Sequence, residues 1–205
     1  MEDYSAKLTG EPFLYNETKI LAEYLLKGET PENLKKRNIE ENLIMHKKTG
    51  SIKRTNSPIF RRLSGMDNEL LYEFVNSDIQ TSKMILLYSI MKTDKLVKDF
   101  IFEIYQNKLY MREDYIERFD IDNWFEEKKS KSKCLRERTE ATIEKLKQVI
   151  MKILQDSNLV QKEKDPNNKL QYRFKIIKPI LSNIFINLVT NNGDYDYAKA
   201  IGGLV

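Results

Sequence analysis

Apolar residues recur at spacings of three and four along most of the chain, the pattern of helices that bury one face. Phe13, Leu14, Ile20, Leu21, Tyr24 and Leu25 form one such stripe, opened by Pro12 at a first-turn position and closed by Gly28. Thr30 and Pro31 then start a second helix, with Thr30 as cap, Glu32 near the positive end of the helix dipole, and Leu34, Ile39, Leu43 and Ile44 facing inward. Thr49, Gly50 and Ser51 read as a turn into a third segment that carries Ile52, Ile59, Phe60 and Leu63. Pro58 lacks an amide donor, which predicts a break in that segment with Ser57 capping the restart. Asp67 caps a helix through Leu70, Leu71, Phe74 and Val75, and Asp78 opens another whose residues 84–91 are almost all apolar and belong in the middle of a bundle.

The helical period continues through residues 94–109, where Leu96, Val97, Phe100, Ile101, Ile104 and Tyr105 are the inward positions. A shorter helix over residues 122–129 presents Trp124 and Phe125, and residues 139–156 form a helix buried through Ile143, Leu146, Val149, Ile150, Ile153 and Leu154. The period then changes to two. Tyr172, Phe174 and Ile176 alternate with Gln171, Arg173 and Lys175, so residues 159–164 and 170–176 read as strands of a hairpin around Asp165, Pro166, Asn167 and Asn168. A helix over residues 179–190 and a Tyr-rich tail close the chain. The expected fold is mostly α: a multi-helix bundle with a helix-turn-helix-like N-terminal part and a small C-terminal β-hairpin able to act as a wing. Residues 126–138 are crowded with Lys and Glu, which suggests either a boundary between a part over residues 1–125 and a second over 126–205 that packs with it or forms its own unit, or one solvated helix face.

Charge adds a locality that the pattern alone lacks. The whole chain of 205 residues has a net charge of only +4, yet residues 42–66 hold Lys47, Lys48, Lys53, Arg54, Arg61 and Arg62 and no acid. A concentrated cationic surface of this kind suits phosphates, and its alternative is an exposed face that serves solubility. Lys53 and Arg54 lie early in the second helix of the helix-turn-helix-like unit, where base edges are usually met, and Arg61 and Arg62 two turns on suit phosphate contact. Lys162, Lys164, Lys169 and Arg173 would give the hairpin the electrostatic grip of a wing, or the hairpin merely covers the core and Glu163 and Asp165 dilute its charge.

Candidate chemistry is sparse. His46 is the single histidine, and no carboxylate pair or cysteine cluster accompanies it at metal-ligand spacing, so no metal or cofactor is expected. Cys134 is the single cysteine, which excludes a disulfide within the chain and points to a reducing cytoplasm; Lys131, Lys133, Arg136 and Arg138 flank it, but no histidine base is near, so it reads as structural or incidental. Neither a phosphate-binding glycine loop nor a nucleophile elbow is present, so no catalytic residue or small-molecule substrate is expected. The charged N-terminus lacks the apolar core of a signal peptide, and the longest uncharged run, about 15 residues from Pro179, is shorter than the roughly 20 that span a bilayer, so no membrane partner is expected.

Several runs carry a family likeness. Tyr4-Ser5-Ala6-Lys7-Leu8-Thr9-Gly10-Glu11-Pro12-Phe13, Glu40-Glu41-Asn42-Leu43, Ser51-Ile52-Lys53-Arg54 with Arg61-Arg62-Leu63, Tyr88-Ser89-Ile90-Met91-Lys92-Thr93-Asp94 and Thr142-Ile143-Glu144-Lys145-Leu146-Lys147-Gln148-Val149 occur in order over most of the chain. Together they resemble the BrxA family of BREX bacteriophage-exclusion systems. The resemblance implies an all-helical, NusB-like fold and a non-catalytic accessory component of phage defence that binds double-stranded DNA and meets other BREX proteins. An RNA-binding, antitermination-like role and an assembly-adaptor role are the alternatives it leaves. The family supplies no catalytic residues; of its matched positions only Lys53, Arg54, Arg61 and Arg62 bear on a site.

Overall fold

The computed structural model describes residues 4, 6–166 and 172–202. Backbone proximity divides the chain into two compact units, Phe13–Thr93 and the pair Met1–Pro12 with Asp94–Val205. The charged tract over residues 126–138, expected as a divide, lies inside the second unit. Trp124, Phe125, Lys128 and Leu135 are buried there, and the tract's exposed charges pair locally, Lys129 with Glu126 and Glu140 and Lys131 with Glu127.

The unit Phe13–Thr93 contains α1 (Tyr15–Leu26), α2 (Pro31–Glu41), α3 (Thr49–Leu63), α4 (Asn68–Asn76) and α5 (Ile79–Thr93). α1 starts later than the Pro12 signal suggested, because Leu14 takes a left-handed conformation with φ 51° and turns the buried Phe13 and Leu14 into the core before the helix begins. Thr30, Asp67 and Asp78 act as expected: Thr30 accepts the Asn33 amide, Asp67 the Leu70 amide, and Asp78 the Gln80 and Thr81 amides. Residues 84–91 of α5 are all buried, as their apolar run demands, and α3 and α4 pack against this helix.

α3 departs from expectation. Thr49–Ser51 form its first turn instead of a loop, and the helix runs unbroken through Pro58. A proline inside a helix costs about 3 kcal/mol. Tertiary burial offsets it: Ile52, Ile59, Phe60 and Leu63 are buried on one side, and Asn56 reaches across to α2.

In the other unit the 3-10 turn Ala6–Gly10 packs on α10 (Glu140–Asp156) and buries Leu8 completely, and the Tyr4 hydroxyl donates to Asp99. The helix expected over residues 94–109 reaches Met111 as α6 (Lys95–Phe100), a π-helical turn (Ile101–Tyr105) and α7 (Gln106–Met111). Glu103 of the π turn accepts Trp124 Nε1 at 2.7 Å and Lys128 Nζ at 2.6 Å, joining that rod to α8 (Arg118–Lys131). The short α9 (Lys133–Arg136) leads to α10.

The hairpin forms as β2 (Val160–Lys164) and β3 (Tyr172–Ile176), and a strand that the alternation did not reveal, β1 (Tyr115–Ile116), pairs antiparallel with β3. Two residues are too few to show a period. The sheet order is β1-β3-β2. The final apolar helix, α11 (Asn183–Asn191), begins at the Ser182 cap and not at Pro179, and the Tyr-rich tail is helical as α12 (Tyr195–Gly202). Among the described residues no helix is long and apolar enough to cross a membrane.

A four-charge ring ties α8 to α10: Arg118 contacts Asp122 and Glu144, and Lys147 contacts the same two carboxylates at 2.7 Å each. Burial alone would raise both carboxyls, but hydrogen bonds from Lys147 and Arg118 outweigh it and hold both below their ordinary values. Groups lowered in this way stabilise the fold above their unfolded pKa of about 4, and the contribution is lost as pH falls through the folded values. The thermal midpoint of Lys147→Met should therefore lie furthest below that of the parent near neutral pH, with the gap narrowing below about pH 4. A gap independent of pH would show that the ring does not contribute in this way.

Candidate nucleic-acid interface

α3 has two opposite faces. Ile52, Thr55, Asn56, Pro58, Ile59, Phe60, Arg62 and Leu63 are buried; Gly50, Lys53, Arg54, Ser57 and Ser64 are exposed, with Arg61 partly so. The exposed positions succeed one another at three and four residues and trace a stripe of cations separated by small side chains. A Cβ added at Gly50 would meet nothing within 4 Å, so the first turn is open to close approach.

The buried face fixes this orientation through amides. Asn38 of α2 donates Nδ2 to Asn56 Oδ1 at 3.1 Å, and Asn56 Nδ2 donates to the Lys35 carbonyl at 2.9 Å. Asn38 Oδ1 also accepts the Ile44 amide, which anchors the loop over residues 42–48 that leads into α3. Asn42 closes that loop by accepting the His46 amide and donating to the His46 carbonyl, both at 2.8 Å.

The α3 N-terminus is unusual in its charge. Thr30 with Glu32 precedes α2, Asp67 with Glu69 precedes α4 and Thr139 with Glu140 precedes α10, each setting a capping oxygen and a carboxylate at the positive end of the dipole. α3 has no side-chain cap and no acid in its first turn, and the exposed Lys47 and Lys48 lie just before it. Placing cations there opposes the dipole by about 0.3–1 kcal/mol each. Lys47, Lys48, Lys53 and Arg54 also form no ion pair among the described residues, whereas Lys108, Arg118, Lys128, Lys129, Lys131 and Lys147 all do. Lys36, Lys145, Lys164 and Lys175 are likewise without an ion pair among the described residues, so what sets Lys47, Lys48, Lys53 and Arg54 apart is their grouping around one helix start with no acid among residues 42–66.

Arg62 corrects the expectation of a six-residue patch. It is 1% exposed, its Nη1 donates to the Phe13 carbonyl at 2.8 Å, and its own carbonyl accepts the Ser89 hydroxyl. It pins the segment before α1 to α3 and α5 and is not available to a phosphate. Helical phase carries the signal: Arg62 lies three residues after the buried Ile59, while Arg61 lies seven after the exposed Arg54. Sequence reasoning also missed Asn38 and Asn56, whose polar character hides their burial, and Lys35, whose ammonium lies 5.1 Å from the centroid of the Phe60 ring.

The hairpin cations are more occupied. The Lys162 ammonium is 3.9 Å from the Tyr172 ring centroid, and the Arg173 guanidinium is 3.6 Å from that of Tyr115 on β1. Glu163 stands opposite Arg173 in the register, Lys164 is exposed, and Lys169, with residues 167–171 around it, lies outside the described residues. Cys134 is half-buried, with Arg138 Nη2 3.7 Å from its sulfur. Among the described residues no group of three or more His, Cys, Asp and Glu is placed to hold a metal.

A family model described as BrxA matches residues 2–192. A curated relative, "BREX protein BrxA" of Bacillus cereus (strain H3081.97), is 29% identical over 200 residues, covering 98% of this chain and 96% of the relative. A crystal structure of an uncharacterized protein from Magnetospirillum magneticum superposes with a TM-score of 0.79 at 20% identity over 98% of this chain and 99% of that one, a likeness of fold.

The different environments of the arginines give a test. Arg62→Ala should lower the unfolding free energy by about 2–4 kcal/mol in urea titration, because it strands a buried carbonyl and empties a large buried volume. Lys53→Ala and Arg54→Ala should stay within about 0.5 kcal/mol of the parent. Equal effects at Arg62 and Arg54 would contradict the division of faces.

Proposed function

The chain belongs to the BrxA family, and from that premise we propose that it is a cytoplasmic, non-catalytic, double-stranded DNA-binding component of a BREX phage-defence system. The observation that supports this reading best is the cationic stripe of α3, set opposite a buried face that holds it outward. α2, the loop over residues 42–48 and α3 succeed one another as a helix-turn-helix with a long turn, in which Gly50, Lys53 and Arg54 occupy the leading end of the second helix. Lys47, Lys48 and Arg61 serve the phosphates on either side of them.

The second unit supports the same class of ligand through its connectivity. β1, α8, α10, β2 and β3, with β3 between the other two strands, take the order of a winged helix in which α10 stands where a recognition helix does and β2–β3 form the wing. Ala141, Lys145, Gln148 and Lys152 make a narrow exposed stripe along α10. Lys162 and Lys164 would add electrostatic contact at the wing. Other BREX proteins are the protein partners that family membership implies.

Fluorescence anisotropy of a labelled duplex over a range of salt tests the reading. If Lys47, Lys48, Lys53, Arg54 and Arg61 each displace a counter-ion, log affinity should fall against log salt with a slope of about −4 to −5. The combined Lys48→Ala, Lys53→Ala and Arg54→Ala variant should weaken binding by a similar factor on unrelated sequences and reduce the steepness of the slope by about 2–3. A flat salt response, or structured RNA displacing the duplex at equal salt, would contradict it.

A further inference from the structure

Met45 is the most exposed large apolar side chain of the unit Phe13–Thr93 among the described residues, at 83%, and it sits in the left-handed region with φ 55°. A long side chain in that region carries steric strain that glycine would not. Nothing in the packing of the unit recovers this cost, because the side chain points away from the core.

The residues around Met45 hold it still. On one side Ile44 is buried and its amide is bound by Asn38, and on the other His46 is clasped by both ends of the Asn42 amide. The Met45 amide itself donates to the Asn42 carbonyl at 2.9 Å. Asn42, also at positive φ, is a residue type that tolerates that conformation. The turn therefore displays one unbranched apolar side chain on an anchored base.

Neighbouring cations narrow the class of ligand. Lys47 and Lys48 are exposed just beyond Met45 in the chain, and Lys53 and Arg54 lie one turn into α3. An apolar protein surface covering Met45 would have to desolvate these cations without compensation. A nucleic-acid duplex meets both demands at once, with phosphates for the cations and a base stack for the thioether. Methionine is among the side chains that architectural proteins insert between base steps, and its flexibility and polarizable sulfur suit a gap between flat rings.

We propose that Met45 is an apolar wedge that inserts against a base step of bound duplex DNA and unstacks it. This rests on the DNA-contact reading of α3 and adds a deformation that phosphate contacts alone do not produce. Part of the affinity then comes from an apolar contact that salt does not screen.

Short duplexes carrying 2-aminopurine at successive positions test it, titrated with the parent, Met45→Leu and Met45→Gly. Saturating parent protein should raise the fluorescence severalfold at one or more positions, and Met45→Leu should keep most of the rise. Met45→Gly should abolish it, weaken binding by about tenfold or less, and leave the salt slope unchanged. Because glycine relieves the positive φ, the thermal midpoint of Met45→Gly should match or exceed that of the parent, so a loss of unstacking is not a loss of fold. Salt-dependent binding by the parent with no rise at any position, or an undiminished rise with Met45→Gly, would overturn the wedge while leaving the DNA-contact reading in place. Failure of the parent to bind duplex at low salt would overturn both.

Discussion

Two buried amides decide which way α3 faces. Asn38 and Asn56 satisfy each other across the α2–α3 contact, and their remaining groups take the Lys35 carbonyl and the Ile44 amide. Each partner buried without the other would leave an unsatisfied group costing about 1–3 kcal/mol, so the pair strongly disfavours rotation of α3 about its axis. An apolar contact of the same size would tolerate slippage. With the amides engaged and Arg62 bound beneath Phe13, the opposite face of the helix has to present Gly50, Lys53, Arg54, Ser57 and Arg61. The same network reaches through Ile44 into the loop, so the cationic stripe and the turn before it are positioned by one set of hydrogen bonds.

Stability and the proposed ligand contact draw on different residues of this unit. The core of α5, the caps at Thr30, Asp67 and Asp78, and the buried arginine hold the fold. The first turn of α3 does the reverse: it lacks a cap, gathers positive charge at the positive end of a dipole and comes after a strained methionine. A missing cap and a missing acid together at one helix start, where α2, α4 and α10 have both, mark a surface shaped by something other than folding. In the second unit several cations are paired with carboxylates, and two of them, Lys147 and Arg118, join α8 to α10.

The legible parts of the fold were those set by local chemistry. The caps at Thr30, Asp67 and Asp78, the apolar run of α5, the period of α10 and the alternation of β3 each arise from spacing within a few residues, and each is present; the cap expected at Ser57 is not, because α3 runs through it. Pro58 misled because tertiary burial can absorb a missing hydrogen bond that local propensity cannot. A break in α3 there would also erase the helical phase that separates Arg61 from Arg62, which is why the buried Arg62 groups with the exposed cations in the sequence pattern. The two-residue β1 and the association of the N-terminal segment with α10 depend on contacts far apart in sequence, and no local pattern encodes them. At the site, the clustering of charge was readable from composition along the chain, whereas its orientation depended on Asn38 and Asn56, whose polarity argues for exposure until the partner is seen.

Lysine acylation read by mass spectrometry, with and without duplex DNA at low salt, examines the orientation of α3 and its ligand together on the unaltered protein. Lys47, Lys48 and Lys53 should react readily in the free protein and become protected when duplex is added, while Lys147, held between Asp122 and Glu144, should react slowly in both states. Unchanged reactivity at Lys47, Lys48 and Lys53 under conditions where duplex is bound would contradict the assignment of α3 as the surface that meets DNA.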